Sequence, residues 1–228
     1  GHLHFYRGEN RSRAESQQFA DDYYYWLRKE KGVDCDVYDT GMDCNSWLVR
    51  PWPYEEKYHP TNWVTDRSID FLRRRDRDMP FFLMASYVRP HAPYDPPQAF
   101  LDMYLNKSLR PPFRGDWNDQ ARLEKSGRMI DNTCGPIDPE LIRRQQAGYY
   151  ALITHLDYQI GRLLNALNEA QVMDNTIILF LSDHGEMLMD HMFFRKSLPY
   201  RGSASVPMIL FGTSLRGKQD RVCELRDV

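Results

Sequence analysis

The sequence lacks the features that would assign it to several common classes. Its 30 lysine and arginine residues are balanced by 32 acidic residues, so the formal net charge is -2. No broad positive field favours nucleic acid or a membrane surface. No run approaches the roughly 20 apolar residues of a transmembrane helix, and residues 1–5 show no signal-peptide pattern. We therefore expect no transmembrane segment and no nucleic-acid partner, while periplasmic, secreted and cytoplasmic locations all remain open.

Cysteine is also scarce. The four cysteines are Cys35, Cys44, Cys134 and Cys223. They form no C-x-x-C pair, which argues against a zinc knuckle or a thioredoxin-type motif. Free thiols and one or two disulfides are both compatible with this spacing. With 228 residues and 42% hydrophobic content, a single domain over residues 1–228 is favoured over several smaller ones.

Helical spacing of apolar residues is the clearest pattern present. It predicts helices over about 14–31, from Thr61 to the charged run 73–78, over 98–105, and from Pro139 onwards. Acidic residues interrupt the run 73–78, which favours a solvated helix end over a nucleic-acid patch. Residues 89–138 form a long excursion, of the kind that serves as a lid or a binding loop.

Two continuous apolar runs, 80–88 and 176–181, flank the helix from Pro139. Such runs are typical of strands that are covered on both faces. Strand, crossover helix and strand predict a βαβ unit over about 80–182 with parallel strands. Residues 206–211 predict a third strand that extends the sheet. The expected fold class is α/β, with a mainly parallel sheet sandwiched by helices.

Asp183 and His184 directly follow the second run, where α/β enzymes place their chemistry. They are metal-type ligands, although a polar turn that caps the next segment is an alternative. The adjacent Gly185 lets the backbone bend close to an ion, which favours the site. His191 is better explained as a structural, hydrogen-bonding histidine than as a ligand.

Lys196 and His91 are further candidates. A lysine near a metal would stabilise an anionic substrate and its transition state, but a surface lysine needs no explanation. His91 lies between Pro90 and Pro93, whose rings restrict the backbone. That restriction suits a preorganised contact and also an ordinary rigid loop.

Dispersed stretches of the sequence resemble the sulfatase family, within the alkaline-phosphatase-like superfamily. The matching stretches are residues 1–5, 61–67, 80–83, 86–97, 148–157, 160–162, 182–186 and 196–207. They are dispersed over nearly the whole chain and keep the family's order, and together they are far more specific than any one of them.

The resemblance implies roles for five residues. Asp183 and His184 would belong to a divalent-cation site, usually calcium, whose second position is Asn or His by subfamily. His91 would touch the sulfate ester and Lys196 would bind a sulfate oxygen. His4 would match the histidine of a Gly-Lys-x-His segment near the nucleophile, although His2 stands where that segment has lysine.

The sequence departs from the family at the nucleophile. The family uses a formylglycine made from the cysteine of a Cys-x-Pro-x-Arg signature, and this motif is absent. Residues 134–136 come nearest, but Asp138 stands where arginine belongs. An acidic pair of the metal site is missing too. We therefore expect a single incomplete sulfatase catalytic domain, truncated at both ends and inactive alone.

The expected function is hydrolysis of a small-molecule or glycan sulfate ester. A hydrated formylglycine would attack sulfur, with the cation and basic residues neutralising the sulfuryl oxygens and a histidine protonating the leaving alcohol. A phosphate or phosphonate monoester hydrolase of the same superfamily is one alternative, and a non-catalytic anion-binding module is another. The sequence does not decide substrate identity or oligomeric state.

Overall fold

A computed structural model describes residues 22–32, 34–117, 138–212 and 223–228. The helices are α1 (Asp22–Glu30), α2 (Pro60–Arg74), α3 (Gln98–Leu105), α4 (Pro139–Glu169) and α5 (Arg201–Ala204), and the strands are β1 (Ile178–Leu181) and β2 (Met208–Phe211). The chain divides into two compact units: Gly1–Leu109 with Arg143–Ala166, and Arg110–Ile142 with Leu167–Val228. The single domain expected from the sequence stays a prediction.

The predicted helices are confirmed within the described residues. Residues 14–21 of the first lie outside them, and α1 ends just before Gly32, whose φ of 137° suits only glycine. Helix α2 begins at Pro60, one residue before the predicted start at Thr61. His59, not Thr61, precedes the first turn, because its Nδ1 accepts the Thr61 N–H at 3.2 Å while Pro60 has no N–H to satisfy.

The core of the first unit consists of two buried apolar clusters. One surrounds α1 and comprises Tyr23, Leu27, Val37, Trp52 and Tyr58. The other joins α3 and α4 and comprises Val49, Ala92, Tyr94, Phe100, Leu101, Ala151 and Leu152. In the second cluster, Gly148 on α4 permits a close approach, since an added Cβ would lie 2.8 Å from both Val49 methyl carbons.

The predicted parallel βαβ unit is not observed. Residues 80–88 belong to no strand, and within this run Phe82 is 90% exposed and Met84 is 65% exposed. Among the described residues the only sheet pairs β1 with β2, and it is antiparallel, with Ile178 opposite Phe211. A covered parallel strand needs neighbours on both edges and helices on both faces, and the described residues do not supply these to 80–88.

The second unit buries sulfur-rich side chains beside its small sheet. Met187, Met189, Met192 and Phe194 are at most 3% exposed, and all four belong to the loop after β1. The backbone of this loop has positive φ at several non-glycine positions: Leu188, Met189, His191, Met192, Arg195 and Ser197. Such conformations cost energy, so the packing of this loop must hold them in place.

Candidate functional site

His91 lies in a loop of the first unit that a buried ion pair closes. Arg89 donates from Nε to Oδ1 and from Nη2 to Oδ2 of Asp95, each at 2.6 Å. The two side chains are 3% and 0% exposed. The third guanidinium nitrogen, Nη1, donates to the His91 carbonyl at 3.3 Å. One guanidinium therefore holds both ends of the loop and the backbone of the histidine between them.

The hydrogen bond of the His91 ring determines its tautomer. Nδ1 lies 2.7 Å from the Ala92 carbonyl oxygen. Because a carbonyl oxygen only accepts, Nδ1 must carry the proton. In the neutral ring Nε2 then has the lone pair, and in the charged ring it is a proton donor. His91 borders a small cavity whose lining includes Tyr38, Cys44 and Arg89.

Asp183 and His184 directly follow β1 in the second unit. The Asp183 Oδ2 and the His184 Nε2 are 3.7 Å apart, while Oδ1 accepts the His184 N–H at 3.0 Å. The His184 Nδ1 lies 2.8 Å from the Gly185 carbonyl oxygen, so this ring too carries its proton on Nδ1. A neutral imidazole with its lone pair on Nε2 is the form that binds metals.

Gly185 is required by the chain that passes beside it. Its N–H donates to the Ser203 carbonyl at 2.8 Å, and a Cβ at this position would lie 2.1 Å from the Gly202 carbonyl oxygen. A side chain cannot be accommodated at that distance without moving backbone. The residues after β1 are thus tied to α5, which the sequence pattern does not reveal.

The Glu186 carboxylate is bound by backbone N–H groups of the loop that carries Lys196. Burial raises the pKa of Glu186, while its hydrogen bonds to Arg195 and Leu188 and the charges of Lys196 and His184 lower it. Its Oε1 accepts the backbone N–H of Arg195 and, at 3.2 Å, that of Leu188. Lys196 is half-buried. The sequence pattern alone does not single out Glu186, although it stands three residues after Asp183.

His191 has a structural environment. Its Nδ1 accepts the Gly115 N–H at 3.1 Å, and its backbone N–H donates to the Phe113 carbonyl at 2.7 Å. The ring stacks on Trp117 with centroids 4.9 Å apart and also contacts Tyr200. This histidine joins the loop after β1 to residues 113–117.

The predicted site residues are distributed over the two units. Asp183, His184 and Lys196 lie in the second unit, where the Glu186 Oε1 accepts the N–H of Arg195, the residue before Lys196. His91 lies in the first unit. His4 and His2 lie outside the described residues, as does Cys134.

Asp183 and His184 offer two donor atoms to a cation. In the described ranges no group of three or more His, Cys, Asp or Glu side chains could hold a metal ion. The 3.7 Å between the Asp183 and His184 donor atoms is compatible with one ion about 2.0–2.6 Å from each. The pair therefore suits half of a metal site. Cys35 and Cys223 are free thiols.

Comparison with known proteins gives the family. The Sulfatase family model matches residues 3–222. An arylsulfatase of Clostridium perfringens is 49% identical over 234 residues, covering 100% of this chain and 49% of the relative. Human iduronate 2-sulfatase is 31% identical over 166 residues, covering 67% of this chain and 30% of the relative. The chain thus spans half or less of the length of these curated relatives.

A solved structure is similar as well. The phosphonate monoester hydrolase of Agrobacterium radiobacter is 26% identical, with a TM-score of 0.65 over 83% of this chain and 41% of that one. This likeness confirms the α/β, alkaline-phosphatase-like fold class, although the described sheet pairing is antiparallel. No described helix is long and apolar enough to cross a membrane. With a family match over nearly its whole length, the chain belongs to the sulfatase family.

Proposed function

We propose that this chain carries the anion-binding part of a sulfuric ester hydrolase. One observation carries the proposal: the Glu186 Oε1 accepts the Arg195 N–H and the Met187 N–H donates to the Arg195 carbonyl at 2.9 Å, so the segment before Lys196 is bonded to the segment that follows the Asp183–His184 donor pair. A sulfate monoester carries negative charge on its non-bridging oxygens. A lysine and a bound cation are the groups that stabilise such charge, and they stabilise it further as the leaving oxygen departs.

Each side chain has a proposed role. Lys196 binds a sulfuryl oxygen through its ammonium group. His91 contacts the ester through Nε2, because Nδ1 is engaged with the Ala92 carbonyl. In the charged ring Nε2 can protonate the departing alcohol. His4 assists release of the covalent sulfate by the same kind of proton transfer.

A divalent cation is typical of the family, and we propose that Asp183 and His184 hold calcium. The carboxylate suits calcium, which prefers oxygen ligands, while the imidazole is a ligand that transition metals accept more readily. Bound there, the cation would polarise a sulfuryl oxygen. The family nucleophile is formylglycine, and since the sequence has no Cys-x-Pro-x-Arg signature, no residue of this chain is assigned that role.

The proposed substrate class is a small-molecule or glycan sulfate ester. The relatives named above are an arylsulfatase and an iduronate 2-sulfatase, which differ in the group that carries the sulfate. The shared element is the sulfate monoester itself. The leaving group is therefore left undefined by the family.

Titration calorimetry of the 228-residue chain with calcium and then with sulfate tests the proposal. Lys196→Ala should weaken sulfate binding by about tenfold, as expected when one charged hydrogen bond to an anion is lost. Lys29→Ala removes the same charge from an exposed position on α1 and should leave binding unchanged. Equal affinity in the two variants would contradict the role of Lys196, and absence of heat with either ion would argue against a formed site.

A phosphonate monoester hydrolase is the second candidate, favoured by the likeness to the Agrobacterium radiobacter enzyme. Both reactions place an anionic tetrahedral group against cationic residues. Competition between sulfate and methylphosphonate for the chain separates them. Displacement of sulfate at lower methylphosphonate concentration would favour the phosphonate reaction, and preference for sulfate would favour the sulfatase.

A further inference from the structure

The loop that carries His91 is bonded to residues 50–52 of the first unit at its C-terminal end. The Tyr94 carbonyl accepts the Arg50 N–H at 3.2 Å, and the Pro96 carbonyl accepts the Trp52 N–H at 3.0 Å. Tyr94 itself is 0% exposed. Asp95 therefore stands between two anchored residues, so its carboxylate is a fixed point from which the remainder of the loop can be oriented.

Arg89, at the start of the loop, is held in place by its hydrogen bonds to Asp95. Residues 80–88, which precede it, belong to no strand, so the approach to His91 receives no support from a sheet ladder. The two parallel hydrogen bonds from Arg89 to Asp95 supply it instead. A planar guanidinium bound through two nitrogens fixes direction as well as distance, which a lysine would not do.

A histidine stands behind the carboxylate. His59 is 0% exposed, and its Nε2 lies 3.8 Å from the Asp95 Oδ1. Because Nδ1 accepts the Thr61 N–H, the neutral ring carries its proton on Nε2, facing the carboxylate. The His155 ring, 4.7 Å away between centroids, packs against His59. His59 at the start of α2 thus faces the Asp95 carboxylate, and His155 on α4 packs against His59.

We propose that Arg89 and Asp95 are positioning residues for His91, with His59 confining the carboxylate, so that the His91 Nε2 is presented to the sulfate ester in one orientation and one tautomer. The orientation of His91 is argued from the geometry of the loop, and its use in binding the sulfate ester rests on the proposed function. In this role neither residue acts on the reacting atoms itself. A buried ion pair is a poor source of stability compared with apolar residues of the same volume, which makes orientation the better explanation for one at this place.

The test compares two arginine-to-lysine changes in the 228-residue chain. Arg89→Lys keeps the charge and loses the second hydrogen bond. Arg162→Lys is the matched control, since Arg162 pairs with Asp66 at 2.7 Å on the surface of the same unit. We expect Arg89→Lys to alter the His91 ring nitrogen signals in NMR, to speed hydrogen exchange of the His91 amide, and to weaken sulfate binding by about tenfold or more. Arg162→Lys should change none of these.

A double variant keeps the test decisive if Arg89→Lys does not fold. Arg89→Met with Asp95→Leu replaces the pair by apolar side chains of similar volume, a change that is often neutral for stability. Wild-type His91 signals in this variant, or in Arg89→Lys, would overturn the proposal and leave a purely structural pair. If the wild-type chain binds no sulfate, the proposed function fails, and the NMR and exchange measurements alone decide whether the pair positions His91.

Discussion

The Nε2 nitrogen of His184 lies 3.7 Å from the Oδ2 oxygen of Asp183, on consecutive residues directly after β1. The hydrogen bond between the His184 Nδ1 and the Gly185 carbonyl leaves the Nε2 lone pair on the side of the carboxylate. An anionic oxygen and a neutral imidazole nitrogen at this separation can bind one cation together. The pair is thus prepared for a cation by backbone hydrogen bonds rather than by a cluster of acidic residues.

Asp183→Asn should weaken binding of a divalent cation. The change keeps the volume and removes the charge that attracts the ion, so we expect about tenfold or greater loss of calcium affinity in titration calorimetry. Asp174→Asn is the control, because Asp174 is an exposed aspartate of the same unit. Equal calcium affinity in the two variants would show that Asp183 is not a ligand.

Gly185→Ala should destabilise the second unit. The new Cβ would lie 2.1 Å from the Gly202 carbonyl oxygen, so backbone must move, at a cost of about 1–3 kcal/mol. Gly161→Ala on α4 is the opposite case, since nothing lies within 4 Å of its added Cβ, and it should stabilise by about 0.5–1 kcal/mol. Urea unfolding of both variants measures the difference; a neutral Gly185→Ala would mean that the two backbone segments separate readily.

Helices are the part of the fold that the sequence predicts well. The spacing of apolar residues identifies α3 and α4 because a helix is stabilised within one segment. The sheet is different, since pairing depends on residues far apart in the chain. The apolar run 80–88 has strand composition, yet Phe82 is 90% exposed. The prediction fails here because composition does not tell which neighbours are present to cover a strand.

The candidate site also combines features that the local sequence predicts with features that depend on distant residues. Asp183 and His184 are predictable because residue type and strand-end position are local properties. The Arg89–Asp95 pair lies within one short segment but gives no signal, because arginine and aspartate are ordinary surface residues and their burial follows from the packing of His59 and Tyr94. The roles of His91 and Lys196 in binding sulfate stay predictions.

The purified 228-residue chain should not hydrolyse an aryl sulfate. The reason is chemical: the sequence contains no Cys-x-Pro-x-Arg signature from which a formylglycine nucleophile would be made. Release of 4-nitrophenol from 4-nitrophenyl sulfate, followed by absorbance, measures this directly. Turnover that disappears in Lys196→Ala would mean that another group of the chain serves as the nucleophile.

Two buried histidines make the first unit sensitive to acid. Burial lowers the pKa of His155 from 6.5 to about 3, and the nearby His59 charge acts in the same direction. Burial lowers the pKa of His59 as well, against the opposing influence of Asp95. In the unfolded chain each ring binds a proton below its ordinary pKa, while the folded ring stays neutral. The contribution of these neutral histidines to the free energy of unfolding is therefore fully present above about pH 6.5. It is lost as the pH decreases from there towards the pKa values of the folded chain.

His155→Gln should flatten this pH dependence. A glutamine can still donate to the Asn62 Oδ1, which the His155 Nε2 contacts at 2.7 Å, but it takes up no proton. Between pH 6.5 and pH 3 the slope of unfolding free energy against pH should decrease by about 1.4 kcal/mol per pH unit. Gln145→Asn, at a buried non-titrating residue of α4, should lower stability equally at every pH. Urea unfolding at pH 7.5, 6.0 and 5.0 measures the slopes, and parallel curves for His155→Gln and the wild type would show that His155 does not resist protonation in the folded chain.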